Sequence, residues 1–484
     1  MVNIPEFKTT YLSSESYILD GATNAEVLDI LELSFEYLIS LKEELVSKFG
    51  GKGFGLLLAK ALEKRDCFGD RFYVSQFHLI PTNFYSIQNL NDFSDFGQIS
   101  FDSIQEKYLT EVFERFSDGE YISVRSSADI EDNGNRNYSG VFYSGFCKTD
   151  DFEAFKREIK KVLFSAKNTK PYANMGIVVM KVAGKYDEEG GFSPDGGGVM
   201  ATTNFGDRTT ISAEFGLPIG ITSSENEDAI TTDFDKSGNL LQVCVKDGDS
   251  LKVSIKSRFV LKGGKVIKVE NTNELEYFKD GRGVFSEDVY RNLVYIGKIM
   301  QEYFGYPLDI EFSIVDGKII LLQIRKFIDK YKKPSNMVPP DLYDKEIVLS
   351  PNQIISGLGF FRSYRIKCHR VSNVHNRNLQ SDLINNAIKK AEAEKLTGGY
   401  ILDLGSISSF PDLHFDFSGL KLVLIKTKGN YKLSHAYMML RELGIPVLFY
   451  NGRLDCSDGD FLGVYLDGNN TGVIFRDKQF GKYF

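Results

Sequence analysis

The chain has 484 residues, of which 42% are hydrophobic and 26% charged. This is the composition of an ordinary globular protein, with room for about two to four domains. The net charge of −8 argues against a nucleic-acid-binding surface, because no basic stripe runs along the sequence. A nucleotide is not excluded, since it needs only a local positive pocket.

The five cysteines lie far apart and form no Cys-X-X-Cys pair, so neither a structural zinc site nor a disulfide framework is expected. Such cysteine usage predicts a reducing, cytoplasmic environment. The first twenty residues lack a basic segment followed by an apolar core, and we therefore expect no signal peptide. No apolar run approaches the length needed to span a membrane.

Residues 25–48 carry apolar side chains at helical spacing, which predicts a packing helix. The segment FGGKGFGLLLAKAL follows at 49–62. Its glycines around Lys52 predict a loop whose backbone can approach a phosphate, with the lysine adding positive charge. It is not a P-loop, because no GK[ST] sequence occurs there. Taken alone, the pattern also fits a glycine-rich helix entry with no binding role.

Residues 121–146, YISVRSSADIEDNGNRNYSGVFYSGF, predict a strand, a loop and a second strand. The first strand carries Arg125, followed by two serines, and the loop begins with acidic residues. Taken alone, this pattern fits a solvated acidic loop as well as a binding site.

Residues 307–327, PLDIEFSIVDGKIILLQIRKF, predict a β-hairpin around an Asp316-Gly317 turn. Across that turn Glu311 and Gln323 can face the same side, with Arg325 two residues further along the same face. Oxygen ligands from Glu and Gln suit Mg²⁺. A plain hairpin with outward polar residues is the alternative.

The stretch VLIKTKGNYKLSHAYMMLRELGIPVLF, 423–449, predicts a strand, a turn and a helix with Ser434 at its N-cap and Gly444 at its end. His435 then lies in the first helical turn, where free N–H groups and the helix dipole favour an anion. A histidine there can accept a phosphoryl group as a nucleophile. A capped surface helix that happens to begin with histidine is the alternative.

Together these motifs resemble the PEP-utilising enzymes, the family of pyruvate phosphate dikinase, PEP synthase, glucan water dikinase and rifampicin phosphotransferase. Their order and spacing match the family's GGKGANL, VRSSATAED, DIEW…ILQARP and S/T-H-A…L-G-I-P patterns. The resemblance implies a mixed α+β and α/β multidomain fold. It places an ATP-grasp-type nucleotide-binding domain at 1–331 with an extra N-terminal helix at 25–48, a linker at 332–347, and a small swivelling β/β/α phosphohistidine domain at 348–484.

The same resemblance implies roles for individual residues. His435 would carry the phosphoryl group, and the remaining site residues would hold ATP and Mg²⁺. The implied nucleotide contacts are Lys52, Arg125, Gly140, Ser144, Met180, Lys181, Val182 and Arg325, with Lys52 and Arg125 also catalytic. The implied Mg²⁺ ligands are Glu311 and Gln323.

Two positions depart from the family pattern. The usual adenine-lining Gln is Met180 here, and the usual acid in the segment 196–223 is Ser212, with Glu214 two residues on. The sequence does not decide whether Glu214 substitutes for that acid.

The resemblance implies a dikinase-type phosphotransferase that phosphorylates His435 from ATP, forms AMP and phosphate, and passes the phosphoryl group to a small-molecule acceptor. Relatives that act on pyruvate or rifampicin have a further large acceptor domain, for which these 484 residues leave no room. Three explanations stay open: a small acceptor binds at the interface of the two domains, a partner protein supplies the second site, or the chain is one part of a longer assembly. Nucleic-acid and membrane partners are not expected. Two other functions stay open: an ATP-grasp ligase that forms an acyl phosphate and ADP, and a catalytically idle nucleotide-binding scaffold.

Overall fold

The computed structural model describes most of the chain, in segments separated by short gaps. These segments are residues 33–90, 93–131, 142–169, 172–204, 208–219, 221, 229–244, 257–270, 284–328, 345–349, 354–358, 360–370, 386–389, 399–404, 419–426, 440–441, 443–450, 453–467 and 472–477.

The α-helices with both ends in these segments are α1 (Phe35–Ser40), α2 (Lys42–Glu63), α3 (Ser103–Glu114), α4 (Phe152–Ser165) and α5 (Glu287–Phe304). The strands of the N-terminal part are β1 (Phe72–Val74), β2 (Phe77–Ile80), β3 (Tyr121–Ala128), β4 (Ser144–Lys148), β5 (Met175–Lys181), β6 (Lys185–Tyr186), β7 (Phe192–Ser193), β8 (Gly196–Asn204), β9 (Arg208–Phe215), β10 (Ile230–Phe234), β11 (Leu240–Cys244), β12 (Ser257–Lys262), β13 (Lys265–Glu270), β14 (Leu308–Val315) and β15 (Lys318–Lys326). Those of the C-terminal part are β16 (Lys345–Leu349), β17 (Ile354–Leu358), β18 (Phe360–Arg370), β19 (Tyr400–Asp403), β20 (Leu420–Lys426), β21 (Val447–Tyr450), β22 (Phe461–Asp467) and β23 (Gly472–Asp477).

Three sheets form the N-terminal part. The largest has seven strands in the order β1-β15-β14-β8-β9-β10-β11, and two four-stranded sheets have the orders β2-β5-β3-β4 and β13-β12-β7-β6. Helix α2 packs against both β15 of the first sheet and β5 of the second. Its apolar side chains, with those of α5, belong to one buried cluster that covers a face of the seven-stranded sheet. This shared core holds the two sheets on either side of one cleft.

Helix boundaries follow local sequence signals. Asp102 caps α3 and forms a reciprocal capping box with Gln105, and Asp151 caps α4 by accepting a hydrogen bond from the Ala154 N–H. Helix α5 ends at Gly305, whose φ of +72° is the left-handed conformation that glycine adopts without strain.

The loop predicted around Lys52 is a break of one residue in the structure. Two helical segments meet inside α2 in a kink at Gly50, whose backbone angles are non-helical, and the residues on either side of it are helical. The kink has φ +74°, and a Cβ at Gly50 would lie 1.9 Å from the Ser127 carbonyl oxygen. Glycine therefore allows helix and strand β3 to touch, rather than opening a loop. The helix predicted at 25–48 is described from residue 33 onward. In that range the chain forms two helices instead of one, α1 and the first part of α2.

The C-terminal part has its own eight-stranded sheet, in the order β16-β23-β22-β18-β19-β20-β21-β17. The neighbours β18, β19, β20 and β21 run parallel, whereas the outer pairs are antiparallel. Its buried apolar side chains form a cluster separate from those of the N-terminal sheets. The protein is thus a mixed α/β chain with several sheets, as the sequence predicts at that level.

Two further boundaries bear on the predicted domains. Residues 345–347, the end of the predicted linker, are in strand β16, which pairs with β23. The helix predicted to end at Gly444 does so: the Gly444 N–H donates to the Arg441 carbonyl and the Ile445 N–H to the Leu440 carbonyl, a Schellman cap.

Gly140, Ser434, His435 and linker residues 332–344 lie outside the described residues. No described helix is both long and apolar enough to cross a bilayer.

Candidate nucleotide-binding site

A cavity of about 840 Å³ lies between the seven-stranded sheet and the sheet that contains β3 and β5. It has the size and mixed polarity of a small-molecule site. The predicted site residues that line it are Lys52, Arg125, Ser144, Met180, Lys181, Val182, Glu311, Gln323 and Arg325. The fold therefore brings together, on one cavity, residues from distant stretches of the sequence.

Lys52 reaches the cavity from the helical turn after the Gly50 kink. Its Nζ donates to the Ser126 carbonyl (2.9 Å) and Oγ (3.0 Å), and forms an ion pair with Glu131 (2.7 Å). The N–H of Gly53 donates to Ser127 Oγ at 2.9 Å. Lys52 is thus held against the end of β3 by the serines that follow Arg125.

Arg125 projects from β3 across the cleft to the β14–β15 hairpin. Its Nη2 lies 2.6 Å from Glu311 Oε2 and 3.0 Å from Gln323 Oε1, and its Nη1 donates to the Leu322 carbonyl at 3.0 Å. The planar fork of arginine makes all three contacts at once.

The hairpin has the predicted Asp316-Gly317 turn, with both residues at positive φ. Glu311 stands directly opposite Gln323. The pairing then shifts by one residue, since Phe312 opposes Leu321, and Leu322 is left without a cross-strand partner. This bulge leaves the Leu322 carbonyl available to Arg125.

Arg325 is held by a buried carboxylate that sequence analysis missed. Asp309, its cross-strand neighbour, is 1% exposed, and its Oδ2 lies 2.5 Å from the Arg325 side chain. Burial raises the pKa of Asp309, and the charge of Arg325 opposes that rise. The alternation in the sequence contained a signal for it, because Asp309 occupies the same strand face as Glu311.

The residues present fit a divalent cation with oxygen ligands. Glu311 Oε2 and Gln323 Oε1 both converge on one positively charged nitrogen, Arg125 Nη2. Two side-chain oxygens directed at a single positive centre are the donor type that Mg²⁺ takes alongside water and phosphate oxygens. The described residues contain no cluster of three or more His, Cys, Asp or Glu side chains that could hold a metal, so these two oxygens would be only part of its shell.

The end of the cavity expected to hold adenine is formed by the end of β5. Met180 is buried in the core, and its carbonyl accepts a hydrogen bond from Ser123 Oγ. The N–H groups of Lys181 and Val182 donate to the carbonyls of Gln76 and Tyr121, each at 2.9 Å. Because both N–H groups already donate to protein carbonyls, an adenine bound there would have to form its hydrogen bonds with other backbone groups.

A polar cluster on α4 and the start of β4 also lines the cavity, and apart from Ser144 the sequence analysis predicted no role for these residues. The buried Glu158 accepts hydrogen bonds from the Tyr143 hydroxyl (2.7 Å) and Lys161 Nζ (2.8 Å). Gly145 leaves the room for it, since a Cβ there would lie 2.1 Å from Glu158 Oε2. Sequence spacing shows that Glu158 and Lys161 share a helix face, but not that this face turns to a cavity.

Neither Ser212, which stands at the family's acidic position, nor Glu214, its possible substitute, reaches the cavity wall. Ser212 Oγ lies 2.7 Å from Thr231 Oγ1, within the seven-stranded sheet, and Glu214 Oε1 accepts a hydrogen bond from the Ile221 N–H at 2.9 Å. Both side chains are buried, and neither is among the residues that line the cavity. Ser144, in contrast, lies opposite Arg125 in the β3–β4 pair and faces the cavity.

Comparison with known proteins agrees with this arrangement. A family model described as the pyruvate phosphate dikinase AMP/ATP-binding domain matches residues 99–341, a range that includes Arg125 and the β14–β15 hairpin. The chain is also similar to two proteins described as probable phosphoenolpyruvate synthases. It is 25% identical over 380 residues to one from Methanothermobacter thermautotrophicus, covering 74% of this chain and 47% of the relative. To one from Archaeoglobus fulgidus it is 24% identical over 374 residues, covering 74% and 44%. The chain thus spans a little under half the length of these relatives.

Proposed function

Because the chain belongs to the family defined by the pyruvate phosphate dikinase AMP/ATP-binding domain, we propose that it is an ATP-dependent phosphotransferase of the dikinase type. In this proposal His435 is the phosphoryl carrier. ATP and one water would give AMP, orthophosphate and phosphorylated His435, which then donates its phosphoryl group to an acceptor.

The observation that supports this proposal most is the convergence of opposite charges on one cavity. Several of the cations that line the cavity lie within hydrogen-bonding distance of a carboxylate, among them Lys52 with Glu131, Arg125 with Glu311, and Arg325 with Asp309. A triphosphate with its metal can exchange these internal partners for phosphate oxygens. Positioning and charge stabilisation of this kind provide most of the catalysis in phosphoryl transfer.

Each residue has a distinct part in the proposal. Glu311 and Gln323 would hold Mg²⁺, which when bound offsets the negative charge of the phosphates. Arg125, released from Glu311 by the metal, would turn its fork to two phosphate oxygens. Lys52, at the other side of the cleft, would contact the same polyphosphate chain, and Arg325 would complete its positive surroundings.

The acceptor is proposed to be a small molecule, bound either by this chain or by a partner protein. A carrier histidine suits either arrangement, because one covalent intermediate can serve two separate sites. The resemblance and the cavity do not favour one acceptor over another.

The proposal is tested by incubating the protein with Mg²⁺ and ATP labelled at the β or the γ position. Since one of these two phosphoryl groups leaves as orthophosphate, we expect acid-labile label from only one of the two positions, on the wild-type protein and on His414→Ala, a matched control that removes another histidine of the same C-terminal part. We expect none on His435→Ala. Equal labelling of all three proteins, or labelling of none, would overturn the proposal.

A further inference from the structure

The β12–β13 hairpin contributes to the nucleotide cavity a lysine to which the proposed function gives no role. Strands β12 and β13 are joined by the turn Gly263-Gly264, and both glycines have positive φ, as a tight two-residue hairpin turn requires. Gly264, Lys265 and Val266 line the cavity. The tip of this hairpin therefore forms part of the cavity wall, with Lys265 as its charged residue.

Lys265 differs from the other cations of the cavity in having no partner. Its side chain is exposed, and its ammonium group forms no ion pair or hydrogen bond with any residue that the structure describes. Each of the other lysines and arginines that line the cavity has a carboxylate oxygen within 3.9 Å of a side-chain nitrogen: Lys52, Arg125, Arg157, Lys161, Lys181 and Arg325.

This difference decides how much each cation gains from an anionic ligand. A paired cation must leave its carboxylate before it contacts a phosphate, so the lost ion pair offsets much of the gain. An unpaired ammonium group gives up only water. Lysine also suits phosphate, because it carries a compact charge with three donors on a flexible four-carbon stem. Lys265 can therefore add affinity for phosphate without the loss of an internal contact.

The position of the hairpin places this charge beside the phosphate-binding elements. Strand β13, which begins with Lys265, lies against β4, and both are edge strands of their sheets. Strand β4 begins with Ser144, which stands opposite Arg125 in the β3–β4 pair. Each of the three N-terminal sheets thus contributes a cation to the one cavity, through Arg125, Arg325 and Lys265.

We propose that Lys265 is a phosphate-binding residue of the nucleotide site, presented by the turn of the β12–β13 hairpin. Its charge favours the anionic oxygens of the polyphosphate chain over the neutral base. The inference rests on the proposed function in one respect only, namely that the cavity binds ATP. It does not depend on the transfer of a phosphoryl group to His435.

The first test compares ATP affinity by calorimetry in dilute buffer without Mg²⁺, so that no turnover occurs. We expect Lys265→Ala to weaken ATP binding about fivefold, the upper end of what one exposed charge contact contributes. Lys265→Arg keeps the charge and should stay within about twofold of the wild-type affinity.

The chain offers a matched control in Lys262, which stands opposite Lys265 across the same turn. Lys262 donates to the Glu189 carbonyl and is not among the residues that line the cavity. We expect Lys262→Ala to change ATP affinity less than about twofold. Unchanged affinity in Lys265→Ala, or an equal loss in Lys262→Ala, would overturn the inference.

The second test separates a phosphate contact from a role in shaping the cavity. In about 1 M salt, where the Debye length is about 3 Å, the difference between Lys265→Ala and the wild-type protein should shrink below twofold. Adenosine, which has no phosphate, should bind both proteins equally. A loss that persists in high salt, or that appears equally with adenosine, would overturn the inference.

These binding measurements also distinguish this inference from the proposed function. ATP binding that depends on Lys265, in a protein that forms no phosphohistidine, would support the inference while the phosphotransferase proposal fails. Phosphohistidine formation with unchanged ATP affinity in Lys265→Ala would do the reverse. A wild-type protein that does not bind ATP would overturn both.

Discussion

Glu311 and Gln323 stand directly opposite each other in the β14–β15 hairpin, and their side-chain oxygens lie 2.6 and 3.0 Å from the same nitrogen of Arg125. In the proposed function, this relationship would let the hairpin hold Mg²⁺. Two cross-strand neighbours place two oxygens at one point without a loop. It also explains why Arg125 reaches that point, since the bulge at Leu322 provides its second anchor.

Removing the charge of Glu311 should therefore affect metal use more than folding. Glu311→Gln keeps the shape and an oxygen acceptor for Arg125, but its neutral oxygen binds Mg²⁺ more weakly. We expect ATP-dependent labelling to fall by roughly 100-fold or more, the usual effect of losing one charge-stabilising group, and the Mg²⁺ concentration for half-maximal labelling to rise.

Ser313→Ala provides the matched control, because Ser313 lines the same cavity from the same strand without being an expected ligand. Its Mg²⁺ dependence should match that of the wild-type protein. An unchanged Mg²⁺ dependence in Glu311→Gln would show that Glu311 is not a metal ligand.

The Gly50 kink should be intolerant of any side chain. Gly50→Ala places a Cβ 1.9 Å from the Ser127 carbonyl oxygen in a backbone with φ +74°. We expect a loss of about 3 kcal/mol in the free energy of unfolding, because positive φ alone costs a non-glycine residue about 1 to 3 kcal/mol. Urea denaturation measures this loss, and weaker ATP binding should accompany it because Lys52 moves with the kink.

Gly190→Ala isolates the contribution of the backbone conformation. Gly190 has a similar φ of +77°, but a Cβ there would have no atom of the described residues within 4 Å, so only the conformational cost applies. We expect a loss of about 1 kcal/mol and unchanged ATP binding. Equal losses in the two variants would mean that the contact with Ser127 is relieved at no cost.

The stability of the N-terminal part should fall in mild acid because of His78. The ring is buried with its Nε2 3.1 Å from the Tyr108 hydroxyl, and burial, aided by the charge of Arg115, lowers the pKa of His78 to about 3. The unfolded chain, with a pKa near 6.5, binds the proton first as pH falls. The stabilisation is therefore complete above pH 6.5 and is lost progressively toward pH 3.

Between pH 7 and pH 5 this histidine should lower the free energy of unfolding by about 2 kcal/mol. Urea denaturation at the two pH values measures the loss. His78→Gln has no group that titrates in this range, so its stability should change by correspondingly less. The same loss in both proteins would place the acid sensitivity elsewhere.

The hairpin could be predicted from sequence because its signals are local. The Asp-Gly turn and the alternating pattern predict the hairpin, but the register set by the turn alone would place Glu311 opposite Leu322. The bulge at Leu322 shifts the pairing by one residue and brings Gln323 opposite Glu311. This bulge was not predicted, since it depends on how β15 fits its neighbouring strands. The family match over 99–341 confirms the resemblance that these motifs suggest.

Other features depend on contacts that no local pattern contains. The glycines around Lys52 are typical of a loop, yet only Gly50 departs from helical backbone angles, because α2 packs closely against β3 and β15. The stacking of Arg441 on Phe327 joins residues whose contact only the folded chain creates. His435 and Gly140 lie outside the described residues, and their roles stay predictions.

The nucleotide product formed with each phosphohistidine tests the central claim most directly. In a single turnover with Mg²⁺ and limiting ATP, we predict one AMP and one orthophosphate for each phosphoryl group found at His435 by mass spectrometry. Arg125→Ala, which removes the residue joining both sides of the cavity, should form neither AMP nor phosphohistidine. Formation of ADP in place of AMP, with His435 unmodified, would contradict the account and support a ligase instead.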